Sequence, residues 1–525
     1  MNIGTSIHKI RNDAKLTQAQ LAEIVGVSQQ SVQKWESGAA TPDLDKIIRL
    51  AKYFDVSLDS LVLGNDSRAV AEMTGADLIE PQYQIVQDQE FYASNLATEY
   101  QQSIDEGLDI EVYKDLFSAV SRLPKNEIKK KFGDALFDLV RTAKQREGYR
   151  YVEPSTLEQI KSLRRGNDNI LPFDEDALEE KISGAWRGRI AGCMLGKTVE
   201  GVRTNELHPF LKETGNFPMY RYIQRTDLTQ EILDKYTFRF SARYYADRID
   251  SMPVDDDTNY TVLAQELIQS FGRDFTPLDV ATNWLKYQRK AGYCTAEQVA
   301  FCNFIKGFAP PQSAMYQNPY REWIGAQIRG DYYGYINPGN PALAAEMAWR
   351  DASISHIKNG IYGEMMISAM IAAAASTNDI EQIVSAGLAQ IPCTSRLYEE
   401  IASVLEGFRS GTSQTACFES IHEKYDEYTQ HGWCHTNSNA MIVVASLLYG
   451  GGDFGKSICM AVETGFDTDC NGATVGSILG MANGIRSIPE CWTKPFNDTL
   501  HTGLYGFETV RISDRIARTL EHIKK

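Results

Sequence analysis

The chain has 525 residues, 43% of them apolar, and a formal charge of −16. That length predicts two or three domains, and the apolar share suffices for sizeable cores. The acidic balance excludes a protein that coats nucleic acid or membrane through bulk charge, while leaving room for a small DNA-reading module with local positive charge.

The 9 cysteines are odd in number and all lie at or beyond Cys193, which predicts free thiols in a reducing compartment and no disulfide framework. Met1 to Ile10 has no apolar core of signal-peptide length, and the run Met365 to Ala375 is too short to span a bilayer. A cytoplasmic protein is expected.

Residues 1–66 read as the first domain. Thr17 is a good N-cap, Gln20 stands at the capping-box position, and Leu21 and Val25 give the helix its apolar face. Gly26 ends that helix and Ser28 caps the next, Gln29 to Glu36, with Val32 and Trp35 inward and Gln29, Gln30, Gln33 and Lys34 outward. A turn at Gly38–Asp43, an amphipathic helix at Leu44–Phe54 and a closing segment at Val56–Leu61 complete the plan. These residues, with Leu16-Thr17-Gln18 and Trp35-Glu36-Ser37-Gly38, resemble the phage-repressor-like helix-turn-helix family. The resemblance implies DNA binding as a dimer through Gln18, Gln29, Gln30, Ser31 and Lys34; a Gln amide suits the N6 and N7 edge of adenine.

Residues 67–174 carry no chemical motif. Ser67 to Gln89 reads as loop-rich. Leu96, Tyr100, Val112, Leu116 and Val120, then Phe132, Leu136, Phe137 and Val140, recur at helical spacing around a break at Leu123–Asn126. A helical spacer that also dimerises the chain is expected here.

Residues 175–525 read as a third, helical domain, and the whole chain as all-α. Gly184, Gly188, Gly192 and Gly196 recur every fourth residue, which places them on one helix face. Glycine lowers helix stability by about 1 kcal/mol relative to alanine, so such a stripe predicts close packing or close approach to a ligand. Glu200 follows it. The stretch Arg329–Pro341 reads as a turn-rich aromatic loop. Ser355-His356, Gly360–Glu364, His435 and Asn439 flank apolar helices.

Two acidic clusters, Asp255-Asp256-Asp257-Thr258 and Asp467-Thr468-Asp469-Cys470, sit at the mouths of helices that read as buried. Carboxylates there repel one another unless a cation lies between them, and oxygen donors select a hard cation such as magnesium or manganese.

With Glu200, Asp256-Asp257-Thr258, Ser355-His356, Asn359-Gly360, Gly465–Asp469, Gly472-Ala473, Gly476, Gly480, Gly484 and Ile488-Pro489, residues 180–495 resemble the ADP-ribosylglycohydrolase family. The resemblance implies a compact all-helical domain holding two magnesium ions through Asp256, Asp257, Asp467 and Asp469, with Glu200 as a mobile ligand or substrate gate. The chain departs from the family at Asp255 and Cys470, where Thr or Ser is usual. Both stand as candidate ligands: Asp255 adds a hard donor, whereas the Cys470 thiol is a poor magnesium ligand, which leaves open two filled sites, a shift toward manganese, or one well-filled site.

The ribose diol of an ADP-ribosylated substrate would chelate ions about 3.5–4 Å apart, and a water activated there would attack C1, positioned by Asp257 or Asp469. Gly334 to Gly339 are expected to offer N–H groups to the diphosphate. Tyr333, Tyr335, Tyr362 and Phe466 are expected to line the adenine slot, with His356 and Gly363 nearby. The expected function is therefore metal-dependent cleavage of a ribosyl bond, coupled to DNA binding. The alternative is a nucleotide-sensing regulator with little or no turnover.

Overall fold

The structure, a computed structural model, describes residues 3–54, 56, 58, 61, 81–236, 240 and 243–524. It separates into two units, one ending at Tyr83 and one beginning at Gln84. The protein is all-α. Among the described residues the one sheet is a two-stranded antiparallel ribbon, β1 (Thr499–His501) against β2 (Thr509–Arg511), with Leu500 opposite Val510.

The first unit contains α1 (Ile3–Asp13), α2 (Gln18–Val25), α3 (Gln29–Glu36) and α4 (Leu44–Phe54). Local sequence sets its boundaries. Thr17 and Gln20 form the capping box that starts α2, Gly26 ends it in the left-handed region at φ 73°, and the Ser28 hydroxyl accepts from Ser31 N–H to start α3. Ile7, Leu21, Val25, Val32, Trp35, Leu50 and Leu61 make the core. Of the closing segment, Ser57, Asp59 and Ser60 lie outside the described residues.

In the second unit, α5 (Leu96–Asp105), α6 (Lys114–Ser121) and α7 (Glu127–Thr142) pack through Leu96, Phe117, Val120, Leu136 and Val140. They belong to the same unit as the rest of the chain from Gln84 onward. The physical reason is buried charge: Arg321 donates to Glu99 at 2.9 Å and to Glu106 at 2.6 Å, both on or just after α5. Arg396 bridges Glu153 at 2.9 Å and Glu322 at 2.7 Å. The part of the expected loop at 67–80 lies outside the described residues.

The centre of the second unit is a pair of helices, α8 (Leu178–Lys197) and α14 (Thr468–Asn483), supported by α9 (Asp256–Phe271), α10 (Pro341–Ala352), α11 (Lys358–Ala374), α12 (Thr436–Gly450) and α13 (Phe454–Glu463), with α15 (Ile512–Lys524) closing the chain. Glycines face glycines where α8 and α14 cross. A Cβ at Gly184 would lie 2.3 Å from the Gly480 oxygen, one at Gly188 2.2 Å from Gly476, and one at Gly192 1.9 Å from Gly472. The predicted glycine face is thus a backbone-to-backbone seam, close enough for Cα–H···O contacts.

The stretch Arg329–Pro341 departs from expectation. It is not an open loop: Asp331–Tyr335 forms a short helix, and Tyr332, Tyr333, Tyr335 and Ile336 are buried. Gly330 and Gly334, read as turn residues, instead let this helix lie against α11, where a Cβ would meet Ser368 Oγ at 2.5 Å and Ile371 Cβ at 2.6 Å respectively.

Candidate active site

The glycine seam brings the C-terminal end of α8 to the N-terminal end of α14. A Cβ at Gly196 would lie 2.2 Å from Asp469 N, and Thr468 Oγ1 donates to the Gly196 carbonyl at 2.9 Å. The start of α9 enters the same space, with Asp255 as its N-cap: Asp255 Oδ1 accepts from Asp257 N–H at 3.0 Å. Asp255, Asp256, Asp257 and Asp469 each present an oxygen within 4.8 Å of the others, and Asp257 and Asp469 share a second such group with the Cys470 sulfur. Asp467 lies outside these groups among the described residues, though its charge bears on Glu200, Asp256 and Asp469.

The electrostatics are those of a site built for positive charge. Burial, then the neighbouring carboxylates, push Asp256 and Asp469 far above the usual carboxylate range. Burial raises Asp257 likewise, against the pull of Arg189. Asp257 Oδ2 and Asp469 Oδ1 are buried without a protein partner. Orphaned carboxylate oxygens of this kind are rare in the absence of a ligand, and their hard-oxygen chemistry fits a hard divalent cation.

Two protein cations already stand among the acids, and neither was predicted. Arg189 of α8 donates from Nη2 to Asp257 Oδ1 at 3.0 Å and approaches Asp331 Oδ2 with Nη1 at 3.0 Å. Lys197 lies 2.7 Å from Asp255 Oδ2. Asp255, expected as an added ligand, therefore has one oxygen on the α9 cap and the other on Lys197. The Cys470 thiol, pushed far up by burial and the surrounding carboxylates, stays protonated beside Asp257 and Asp469.

Glu200 stands at the rim, its residue surface open to solvent while its carboxyl leans over the acids. Partial loss of water there, then the charges of Asp467 and Asp255, raises it to about 7. Arg203, next along the rim, stacks 4.2 Å over the Trp433 ring. Asn439 takes Asp467 N–H at 3.3 Å and the Asn471 amide at 2.8 Å, which ties the acidic turn to α12. His435 is a cap: its Nδ1 accepts from Asn437 N–H at 3.1 Å.

The side chains expected to form the adenine slot lie within the helical packing. Tyr333, Tyr335, Tyr362 and Phe466 are fully buried. The Tyr333 hydroxyl donates to Asp351 at 2.5 Å, Tyr335 meets Ser477 at 2.7 Å, and Tyr362 donates to the Pro154 carbonyl. Gly334 and Gly363 pack against Ile371 and Thr436, and Gly339 N–H already donates to Ala372 O at 2.9 Å. His356 is buried against Ser355, 2.8 Å from its Nδ1, and burial keeps it neutral. Residues of these types serve packing here because the helices around them close completely.

In the first unit Gln29, Gln30 and Lys34 stand exposed on α3. Ser31 shares a 2.9 Å contact with the Ser28 cap, and the Gln18 amide is held by Glu36 at 2.8 Å. Glu36 also receives Arg11 at 2.5 Å and lies 2.9 Å from His8.

The ADP-ribosylglycohydrolase family model matches residues 174–521, and the helix-turn-helix family model matches residues 7–61. The HTH-type transcriptional activator BcrR of Enterococcus faecalis is 35% identical over 72 residues, 14% of this chain and 35% of that protein. The cryptic phage CTXphi transcriptional repressor RstR of Vibrio cholerae is 33% identical over 61 residues, 12% of this chain and 54% of that protein. The chain thus spans about a third to a half of the length of these curated relatives. A solved structure described as an ADP-ribosylglycohydrolase-related protein complex covers 66% of this chain and 99% of its own at 18% identity, with a TM-score of 0.39.

Proposed function

We propose, on the premise that the chain belongs to the ADP-ribosylglycohydrolase family, that it hydrolyses the ribosyl bond of ADP-ribosylated substrates with the help of bound magnesium, and that its helix-turn-helix unit docks it on a DNA operator. The observation that carries this reading is the meeting of Asp256, Asp257 and Asp469 at one point, with buried oxygens of Asp257 and Asp469 left without a partner.

When bound there, the cations would orient the ribose diol and offset charge developing at the sugar. Asp256, Asp257, Asp467 and Asp469 would hold them. Asp255 shapes the turn by capping α9, and Arg189 fixes the rotamer of Asp257 from below. Glu200 gates the rim. A protonated Cys470 thiol leaves the hard ion to the carboxylates around it.

Purified full-length protein with magnesium should release free ADP-ribose from a modified substrate, and Asp257→Asn or Asp469→Asn should reduce the rate by at least about a hundredfold, the order lost when a group that positions or activates the nucleophile is removed. Failure on arginine-, serine- and nucleobase-linked substrates with both magnesium and manganese would remove the enzyme reading.

The fused helix-turn-helix unit favours a second role beside the first: a regulator whose operator affinity responds to ADP-ribose. Operator binding measured with and without ADP-ribose and magnesium decides it, and equal affinities dispose of it. A homodimer is the state in which such a unit reads a two-fold operator. Ile128 and Phe132, one turn apart on α7 and both exposed, would supply an apolar face for it.

A further inference from the structure

The chain carries −16 overall, yet one concavity beside the rim is lined by arginines. A cavity of about 600 Å³ is bounded by Arg225, Arg243 and Arg248, with Phe240 and Tyr245 as its apolar walls. It adjoins the end of α8: Arg243 Nη1 donates to the Glu200 carbonyl at 2.7 Å, and Thr198 Oγ1 donates to the Tyr244 carbonyl at 2.8 Å. The carboxylates close to these guanidiniums are few: the Glu200 carboxyl feels the charge of Arg243, and Asp247 stands beside Arg248. Asp247 takes the Arg225 backbone N–H at 2.7 Å and lies 3.6 Å from Arg248, while Arg225 Nη1 donates to the Leu228 carbonyl at 3.3 Å. Arg243 Nε is buried and has no partner among the described residues.

A buried guanidinium N–H without an acceptor is destabilising unless a ligand completes it. Arginine forks bind phosphate in a bidentate manner, and several forks around one concavity match a group that carries several anionic oxygens. The position matters as much as the charge. Glu200, with Asp256 and Asp467 behind it, makes the neighbouring rim repulsive to an anionic substrate, and a basic cavity beside it would offset that field.

We propose that this cavity binds a phosphate group on the acceptor portion of the substrate, so that the modified molecule is a nucleic acid strand and not an uncharged or cationic side chain. The proposal rests on the hydrolase reading for the identity of the substrate, and on the cavity itself for the binding of phosphate.

Two measurements on the full chain separate these. In EDTA, inorganic pyrophosphate titrated calorimetrically should bind, and Arg225→Gln/Arg248→Gln should weaken it by about tenfold or more, the effect of losing charge-assisted hydrogen bonds. Lys34→Gln, in the first unit, should not. With magnesium, the same double variant should lower the ratio of kcat/KM for an ADP-ribosylated, 5′-phosphorylated oligonucleotide to that for ADP-ribosyl-arginine by about tenfold.

Absence of pyrophosphate binding, or equal binding by the double variant, overturns the site whatever the enzyme does. Pyrophosphate binding without turnover of either substrate leaves the phosphate site standing and removes the hydrolase reading. An unchanged substrate ratio, or an equal loss on both substrates with weaker inhibition by ADP-ribose, overturns the acceptor assignment, the latter by giving the arginines to the diphosphate of ADP-ribose itself.

Discussion

Glu36 shows how one carboxylate can hold a small unit together. Burial would raise it, but hydrogen bonds from Arg11, Gln18 and His8 bring it down to about 2, below the ordinary glutamate value of about 4.3. A depressed carboxylate contributes stability above its unfolded value, and that contribution is lost as pH falls toward 2. Hydrogen exchange in α1–α3, corrected for intrinsic rate, should therefore lose protection between about pH 4 and pH 2. Glu36→Ala should destabilise the unit by about 3 kcal/mol at neutral pH, as expected when one partner of a buried pair is removed. Peptides from α8 and α14 serve as the internal control. At this scale the sequence was legible wherever the partner was local: the Thr17 and Ser28 caps follow from residues three positions away. Arg189 and Lys197 were not legible as site residues, because the acids that explain them sit on another helix. The signal that could have found them is a charge inside a helix otherwise made of small apolar residues.

At the level of elements, the seam between α8 and α14 is the feature that periodicity announced most directly. A glycine every fourth residue on each helix has little other use, and the crossing uses nearly all of them. What periodicity could not say is which face of a tyrosine-rich stretch is buried. Tyr333, Tyr335 and Gly334 have the composition of a binding loop, and only the closure of α10 and α11 over them decides otherwise. The seam also yields a test. Gly192→Ala puts a methyl where the Gly472 oxygen lies 1.9 Å away, so the helices must separate. Overpacking of this kind costs about 1–3 kcal/mol. Because Lys197 and Asp469 ride on the two helices, manganese affinity read by electron paramagnetic resonance should fall together with the melting temperature. A fall in melting temperature alone would show that the site is buffered from the seam.

Across the whole molecule, the helices between Gln84 and the glycine-rich core are not a loose tether. Arg321 with Glu99 and Glu106, and Arg396 with Glu153 and Glu322, bury their charges against the main body. Breaking such a pair from one side costs about 3–5 kcal/mol. Arg321→Ala should thus expose α5 to proteolysis while leaving peptides of the first unit protected as before. Ile128 and Phe132 are exposed on this segment, and the proposed homodimer would use them. On that proposal Phe132→Glu should lower the mass read by light scattering from that of a dimer to that of a monomer, and an unchanged mass would exclude that face from self-association.

Arg189 and Lys197 bear on how the protein is handled as well as on its chemistry. A cluster of acids that relied wholly on loose metal would have to take up protons or move apart once stripped. Here two covalently tethered counter-charges remain when everything diffusible has been dialysed away. Protein prepared in chelator should therefore keep its helical signal and regain ion binding on simple readdition, without a refolding lag.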